Sequence, residues 1–155
     1  MDLRKKGFTL IELLVVVSII GVLTTLIFAN LNAARERGRD AQRKSDLHNL
    51  RTALRLYYND FNVYPSNNES GNILGCGANG TALCEWGEEW TAGTTTYMNI
   101  LAKDPFENQA YRYQVDADFE SYRLSACLEN QSDTNGKITN DTDWCSTSWM
   151  IELVP

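Results

Sequence analysis

The fold is decided by the stretch 8-FTLIELLVVVSIIGVLTTLIFANLNAA-34 of the 155-residue chain. Glu12 is its only charged side chain, and the 22 residues from Leu13 to Ala34 carry no charge. About 20 apolar residues, each rising about 1.5 Å along a helix, span a hydrocarbon core of about 30 Å. The sequence therefore predicts a membrane-spanning helix near the N-terminus.

Two ordinary explanations of an apolar N-terminal run compete. A secretory signal peptide has an apolar region of about 7–15 residues before a small-residue cleavage site, whereas this run is longer and no such site breaks it cleanly. A plain single-pass anchor fits the length but leaves Glu12 unexplained, because a carboxylate near the bilayer core costs at least about 2.5 kcal/mol. Lys and Arg residues flank the run on both sides, so charge does not set its orientation.

The residues around the start of this run resemble the N-terminus of the type IV pilins and of the pseudopilins of protein secretion. The segment KKGFTLIELLVVVSIIGVL places a short basic leader, Gly7, Phe8 and Glu12 in register. The resemblance implies that a prepilin peptidase cuts between Gly7 and Phe8, and that the new Phe8 amine is methylated. It also implies that Glu12 pairs with the Phe8 amine of a neighbouring subunit and so sets the register of filament assembly.

The chemistry of these residues agrees with the processing that the resemblance implies. Gly7 has no side chain, so an extended backbone can enter a protease cleft closely. Removing the seven leader residues, which carry a net charge of +2, would leave 148 residues and take the side-chain charge from −6 to −8. Pairing Glu12 with an amine neutralises two charges that are costly in an apolar filament core. The ordinary alternative is a Glu12 that snorkels to the interface of a simple anchor.

The helical pattern continues beyond the apolar run. Five large residues recur at spacings of three and four and predict one face of an amphipathic helix, namely Leu47, Leu50, Leu54, Tyr57 and Phe61. The pattern predicts one helix from Phe8 to Phe61, and Tyr64–Pro65 ends it because a residue before proline avoids the helical region. The basic cluster 35–44 is either a solvated helix face or a patch for lipid headgroups or nucleic acid.

A small α+β head follows the helix. Residues 66–80 are rich in Asn, Ser and Gly and predict a loop, and 95–101 predict a short helix. Three strands are expected to pack antiparallel on the helical stripe, at Ala110–Val115, Ser121–Ala126 and Trp149–Val154. The predicted regions are a leader at 1–7, a transmembrane and assembly helix at 8–34, and an amphipathic half-helix with its globular head at 35–155, the lollipop architecture of pilins.

Residues 104–113 carry a second resemblance, to one branch of the same family. Asp104, Pro105 and Phe106, followed by Tyr111 and Tyr113, resemble a pattern of the type II secretion major pseudopilin. Glu107 stands where that family has a glycine, and the four cysteines also depart from it. Membership of the type II secretion major pseudopilin subfamily is therefore an expectation that rests on part of its pattern.

All four cysteines follow the apolar run, and an even number in a small head predicts two disulfides and an oxidising compartment. Three pairings are possible. The pairs Cys76–Cys84 and Cys127–Cys145 are favoured because each closes a short local loop. A zinc site is the alternative, but its ligands come as closely spaced Cys pairs, which these cysteines do not form.

The segment 129–143 concentrates acidic and amide side chains. Asp133, Asn135, Asp141 and Asp143 are candidate calcium ligands, because calcium takes hard oxygen donors at alternating positions around a turning glycine. The complete twelve-residue calcium loop is absent. The resemblance favours calcium, since the major pseudopilins bind it in this region, and a plain solvated turn is the alternative. No cofactor is otherwise required.

The leading function is structural, as a subunit of a type IV pilus or a type II secretion pseudopilus. The resemblance implies as partners copies of itself and other pilins, prepilin peptidase, an inner-membrane platform with a separate ATPase, and membrane lipid before assembly. It also implies a single-pass inner-membrane location with an extracytoplasmic head. The sequence does not separate a surface pilus from a periplasmic pseudopilus.

Two other functions compete. A minor pilin or tip adhesin would present the tryptophans to a ligand, at positions Trp86, Trp90, Trp144 and Trp149; the alternative is that they pack beside the disulfides. An enzyme is disfavoured, because the chain has one histidine, His48, and no nucleophile motif. A net charge of −6 argues against specific nucleic-acid binding.

Overall fold

The computed structural model describes residues 7–155 and confirms the predicted α+β pilin-like architecture. One helix, α1, spans Leu10–Phe61, and short antiparallel strands follow it. The chain divides after Glu36 into two compact units, the second of which is Arg37–Pro155.

The first half of α1 exposes apolar side chains on every side. Phe8 and Leu10 are 80% and 84% exposed, and most of the large apolar side chains up to Phe28 are about half exposed or more. α1 is long and apolar enough to cross a membrane, by length and composition. A helix that is apolar all round needs lipid or other protein to cover it.

The end of α1 at Phe61 confirms the predicted boundary, and an asparagine forms its cap. Asn62 adopts a left-handed conformation with φ of 56°, and its N–H donates to the carbonyl of Tyr58 at 2.7 Å. This is the left-handed C-cap that asparagine, like glycine, tolerates. The chain has therefore left the helix before it reaches Tyr64 and Pro65.

The second unit contains nine short strands. They are β1 (Ser66–Asn67), β2 (Ile73–Cys76), β3 (Ala82–Leu83), β4 (Trp90–Ala92), β5 (Thr95–Met98), β6 (Arg112–Val115), β7 (Tyr122–Cys127), β8 (Lys137–Ile138) and β9 (Trp149–Leu153). Three antiparallel sheets result, with the orders β1-β2-β3, β4-β5 and β6-β7-β9-β8. The three predicted strands are β6, β7 and β9, each within two residues of its expected bounds.

Two local predictions were wrong. The expected helix at 95–101 is replaced by β5, which pairs with β4 through Ala92↔Thr95 and Trp90↔Met98, because β-branched threonines favour an extended strand over a helix. The expected loop at 66–80 contains the β1–β2 hairpin instead. Its Asn- and Gly-rich residues form the turn, where Gly71 has a positive φ of 80°.

The core lies between the second half of α1 and the sheets. Leu47, Leu50 and Leu54 have no exposed surface and share one apolar cluster with residues of β4, β6 and β7. Phe61, the last residue of the predicted stripe, remains 42% exposed and stacks on Tyr57 with ring centroids 4.4 Å apart. Burial of each leucine contributes about 2 kcal/mol, so this stripe binds the helix to the head.

Two disulfides close local loops in the head. Cys76 is joined to Cys84 across the β2–β3 turn, and Cys127 to Cys145 across the acidic segment that precedes β9. These are the two pairs that the short-loop argument favours. Each fixes a segment that carries little regular secondary structure.

Removing either bridge is expected to destabilise the head. The paired variants Cys127→Ala/Cys145→Ala and Cys76→Ala/Cys84→Ala should each lose about 3 kcal/mol in the free energy of unfolding, because each restores conformational freedom to the unfolded chain. Urea unfolding followed by tryptophan fluorescence measures the loss. Peptide mapping without reduction should recover both pairs, and a peptide joining Cys84 to Cys127 would contradict this pairing.

Candidate functional site

The residues at the start of α1 form a reciprocal hydrogen-bonded cap. The Thr9 amide donates to Glu12 Oε2 at 2.9 Å and the Thr9 hydroxyl to the same oxygen at 2.7 Å, while the Glu12 amide donates back to the Thr9 hydroxyl at 3.3 Å. A threonine followed three residues later by a glutamate is the capping-box signature of a helix start. Sequence reasoning missed this role, although the spacing Thr-Leu-Ile-Glu carries the signal.

The cap leaves part of Glu12 available. Both side-chain interactions use Oε2, and Oε1 accepts no hydrogen bond from the described residues. Gly7 and Phe8 lie just before the cap and are exposed, and no other group among residues 7–155 lies within 4 Å of where a Gly7 side chain would begin. The segment that the resemblance marks for cleavage is therefore accessible, and an unoccupied carboxylate oxygen lies four residues beyond it.

A fully buried arginine fastens α1 to the rest of the head. Arg43 donates to both carboxylate oxygens of Asp104 at 2.9 Å, to Asp40 and Glu129 at 2.8 Å, and to Gln109 at 3.3 Å. These bonds use all five N–H groups of the guanidinium. Burial opposes its charge, yet the hydrogen bonds that it donates, chiefly to Asp104, raise the pKa of Arg43 above its ordinary value.

Asp40 and Glu129, which both bind Arg43, make further contacts of their own. Asp40 is almost fully buried and accepts the backbone N–H groups of Glu129 and Asn130. Arg39 holds the Glu129 carboxylate in a two-point ion pair, which keeps the pKa of that carboxyl below its ordinary value. The basic cluster therefore fits neither of its two interpretations in full, because part of it binds the head's own acids.

The Asp-Pro-Phe and Tyr-x-Tyr residues have structural roles around this network. Asp104 accepts the Phe106 amide at 2.8 Å besides binding Arg43. Tyr111 donates its hydroxyl to Asp46 of α1 at 2.7 Å, and Tyr113 donates to the carbonyl of Pro65 at 2.7 Å. Burial raises the pKa of Tyr111, as does its bond to Asp46. These motif residues therefore attach strand β6 to the helix and to the chain that follows it.

The candidate calcium ligands are held by other groups. Asp133 forms an ion pair with Lys44, and Asp141 forms one with Arg112. Asn135 and Asp143 are exposed, and no cluster of three or more His, Cys, Asp or Glu suited to a metal occurs in the described part of the chain. Calcium takes six to eight oxygen ligands, so this arrangement does not fit the ion. Calcium binding stays a prediction that requires Lys44 and Arg112 to release their partners.

The tryptophans are engaged within the head. Trp90 is fully buried and donates its ring N–H to the carbonyl of Gly75. The other three also donate their ring N–H groups: Trp86 to the Asn72 side chain, Trp144 to the carbonyl of Ala110, and Trp149 to the carbonyl of Asp133. A ligand surface would need such polar groups to be available, so these contacts do not favour the adhesin alternative.

Comparison with known proteins agrees with this reading of the N-terminal segment and the head. Residues 2–28 match the prokaryotic N-terminal methylation motif, and residues 30–143 match the family described as type II secretion system (T2SS), protein G. The motif and the α+β head define the class of pilin-like structural subunits. Within that class, the chain belongs to the type II secretion system protein G family, which is a structural family and not a family of enzymes.

Individual relatives show how far the similarity extends. The chain is 38% identical to type II secretion system core protein G of Aeromonas hydrophila over 138 residues, covering 88% of this chain and 92% of the relative. It is 41% identical to the corresponding protein of Pectobacterium carotovorum over 71 residues, 46% of each chain. It is also 41% identical to the type IV wide pilus major component PilA4 of Thermus thermophilus, over 45% of this chain and 53% of the relative. The last two alignments span about half of the relative. No solved structure matches the chain.

Acid should weaken the head through Glu129. Because the folded pKa of Glu129 lies below its ordinary 4.5, its stabilising effect is present above about pH 4.5 and is lost as the pH falls through the folded pKa. Glu129→Gln should lower the free energy of unfolding by about 2 kcal/mol at pH 7. The difference from the parent chain should shrink on acidification, as measured by urea unfolding at several pH values.

The matched control for this measurement is Glu120→Gln, which removes an exposed carboxylate from the β6–β7 turn. It should leave the unfolding curve nearly unchanged. Equal losses in the two variants, or a Glu129→Gln loss that does not depend on pH, would contradict the role given to the Arg39–Glu129–Arg43 contacts.

Proposed function

We propose that this chain is processed between Gly7 and Phe8 and then polymerises through its N-terminal helix into a pseudopilus or a closely related pilus. The single observation that carries the proposal is the placement of Glu12, with a free carboxylate oxygen, four residues beyond the accessible Phe8 at the start of an exposed apolar helix. The names of the relatives, which include secretion core proteins and a pilus component, support the same class of filament.

Hydrolysis of the Gly7–Phe8 bond creates the partner that Glu12 lacks. Water adds across the peptide bond, so Gly7 leaves with a carboxylate and Phe8 begins the mature chain with an amine. That amine is cationic near neutral pH. A neighbouring subunit that offers its Phe8 amine to Glu12 Oε1 neutralises both charges as the apolar helices pack, and misaligned helices would leave both charges unpaired in an apolar medium.

The other partners follow from this chemistry. A prepilin peptidase performs the cleavage, lipid covers the apolar half of α1 before assembly, and the head lies on the extracytoplasmic side, where disulfides form. An assembly platform with its own ATPase supplies the work of extraction from the membrane, since this sequence contains no phosphate-binding loop of the G-x-x-x-x-G-K-[ST] type.

Mass spectrometry of the N-terminal peptide tests the processing step. The protein is purified from the membrane fraction of cells with an active prepilin peptidase. We expect a mature chain that begins at methylated Phe8. A chain that still carries Met1–Gly7 in those cells would contradict the proposal, and the same preparation from cells lacking the peptidase gives the uncleaved reference.

Substitution of Glu12 tests the assembly step. Glu12→Gln keeps an oxygen that can accept from Thr9 but removes the negative charge, whereas Glu12→Ala removes both. We expect both variants to be cleaved normally and to form no filaments, as measured by immunoblotting of the sheared filament fraction. Thr9→Val, which removes the hydroxyl half of the cap but keeps the carboxylate, should still assemble. Normal filaments from Glu12→Gln would assign Glu12 to helix capping alone.

A further inference from the structure

Four basic side chains lie in line along the head-bound half of α1. Lys44, His48, Arg51 and Arg55 follow one another at intervals of four, three and four residues, which places them on one helix face at 3.6 residues per turn. We call this set the basic strip. It borders strand β9, since Lys44 and His48 line one groove of about 360 Å³ with Ile151, Glu152 and Leu153.

The two arginines of the basic strip lack an anionic partner. Lys44 binds Asp133, but Arg51 and Arg55 form no ion pair with any residue from 7 to 155. Both arginines lie close enough to Tyr64 and Tyr122 to lower the pKa of each phenol, against the larger opposing effect of burial. The charge of either guanidinium is therefore not neutralised by a carboxylate of the described residues.

Glu152 and Asp116 each lie next to a basic residue outside the strip. Glu152, at the groove, forms an ion pair with Lys137. Asp116, in the β6–β7 turn, lies 4.0 Å from Arg123. Arg51 and Arg55 therefore keep their positive charge in a chain whose net charge is −6.

An exposed acidic loop lies on the other side of the head. It consists of residues 85–89, between Cys84 and β4, and it exposes Glu85, Glu88 and Glu89. None of the three forms an ion pair with a described residue. Gly87 at φ of 94° turns the chain, and its N–H and the carbonyl of Glu88 both bond to the backbone of Leu101. The loop is therefore fixed before any partner arrives.

Helix geometry keeps the acidic loop away from the basic strip of the same chain. The loop is anchored by Trp86, whose ring meets Tyr111 edge-on, and Tyr111 in turn binds Asp46. Further along, Tyr97 of the adjoining β5 binds Asp60. Asp46 and Asp60 lie about 160° around α1 from the strip. Surfaces of opposite charge thus occupy opposite flanks of one helix.

We propose that the basic strip binds the acidic loop of a second copy of this chain, with Arg51 and Arg55 pairing with Glu88 and Glu89. The contact is heterologous, because each copy offers the strip to one neighbour and the loop to another. Such contacts continue without closing unless the rotation between copies completes a ring. The inference rests on the proposed function, and it adds a head-to-head contact to assembly through the N-terminal helix.

Overall charge favours such a contact. Mature copies would carry −8 each, so their heads repel one another on average when a filament brings them together. Local pairing of the basic strip with an acidic surface offsets this repulsion where the copies touch. Charge complementarity of this kind fixes register and suppresses wrong alignments.

Reciprocal charge reversal in the full chain tests the inference. Arg51→Glu/Arg55→Glu and Glu88→Arg/Glu89→Arg should each reduce the sheared filament fraction at least about ten-fold, because like charges then face each other. The four substitutions together should restore it to within about three-fold of the parent chain. Failure of the combined variant to recover, or normal filaments from both reversals, would overturn the inference.

Matched variants separate this contact from other causes. Arg51→Glu/Arg55→Glu combined with Asp116→Arg/Glu120→Arg should not recover, because that turn is not the proposed partner. Because Arg51 is partly buried, its replacement could disturb the head. Arg55→Glu alone changes only an exposed residue, and it should also reduce the sheared filament fraction. Equal urea midpoints would show that each head is folded. Recovery of filaments with Asp116→Arg/Glu120→Arg would place the partner surface in the β6–β7 turn and would overturn its assignment to residues 85–89.

Cysteine pairing gives a direct measure of proximity. All four native cysteines are bonded, so Arg55→Cys with Glu88→Cys adds one new pair. Oxidised filaments should then give a ladder of covalent oligomers, and each single-cysteine variant should give none. If the parent chain forms no Glu12-dependent filaments, the proposed function fails. If it forms them but the ladder and the charge recovery are both missing, only this inference fails.

Discussion

The head depends on the burial of one arginine. Arg43 has no exposed surface, and each of its five N–H groups has an acceptor from α1 or from the segments around Asp104 and Glu129. A guanidinium is tolerated in such a place only when its charge and all its donors are satisfied. The positions of these two segments on the helix are therefore coupled, and loss of any one acid leaves a buried charge without its full set of partners.

The rest of the head extends this attachment along the helix. The leucine stripe supplies the apolar contact, and tyrosine hydroxyls bind Asp46 and Asp60 on one flank of α1. Burial and the Asp60 acceptor raise the pKa of Tyr97 to about 12, so it stays a neutral donor at physiological pH. The short strands could not hold a helix by themselves, and two disulfides secure the loops between them.

Assembly raises a second electrostatic constraint, which differs between the two ends of α1. At the apolar end, Glu12 carries a single negative charge, and its Oε1 accepts no hydrogen bond from the described residues. Along the head, the difficulty is repulsion between acidic copies, and the basic strip and acidic loop offer a local remedy. Both proposed contacts would pair charges between copies, and both would impose register, because a displaced copy leaves its charge facing an apolar surface or a like charge.

Much of this protein could be predicted from its sequence, because the decisive signals are local. Length and apolarity predict the N-terminal helix, the Gly-Phe-Glu register predicts the assembly segment, and spacing favours the two cysteine pairs. What only the tertiary structure decided involves residues distant in the sequence. Arg43 belonged to a cluster that looked like a solvated face, and its burial depends on Asp104 and Glu129, 61 and 86 positions away. That Arg51 and Arg55 form no ion pair with a described residue is likewise visible only in the folded chain, because ion pairing joins residues that are distant in the sequence.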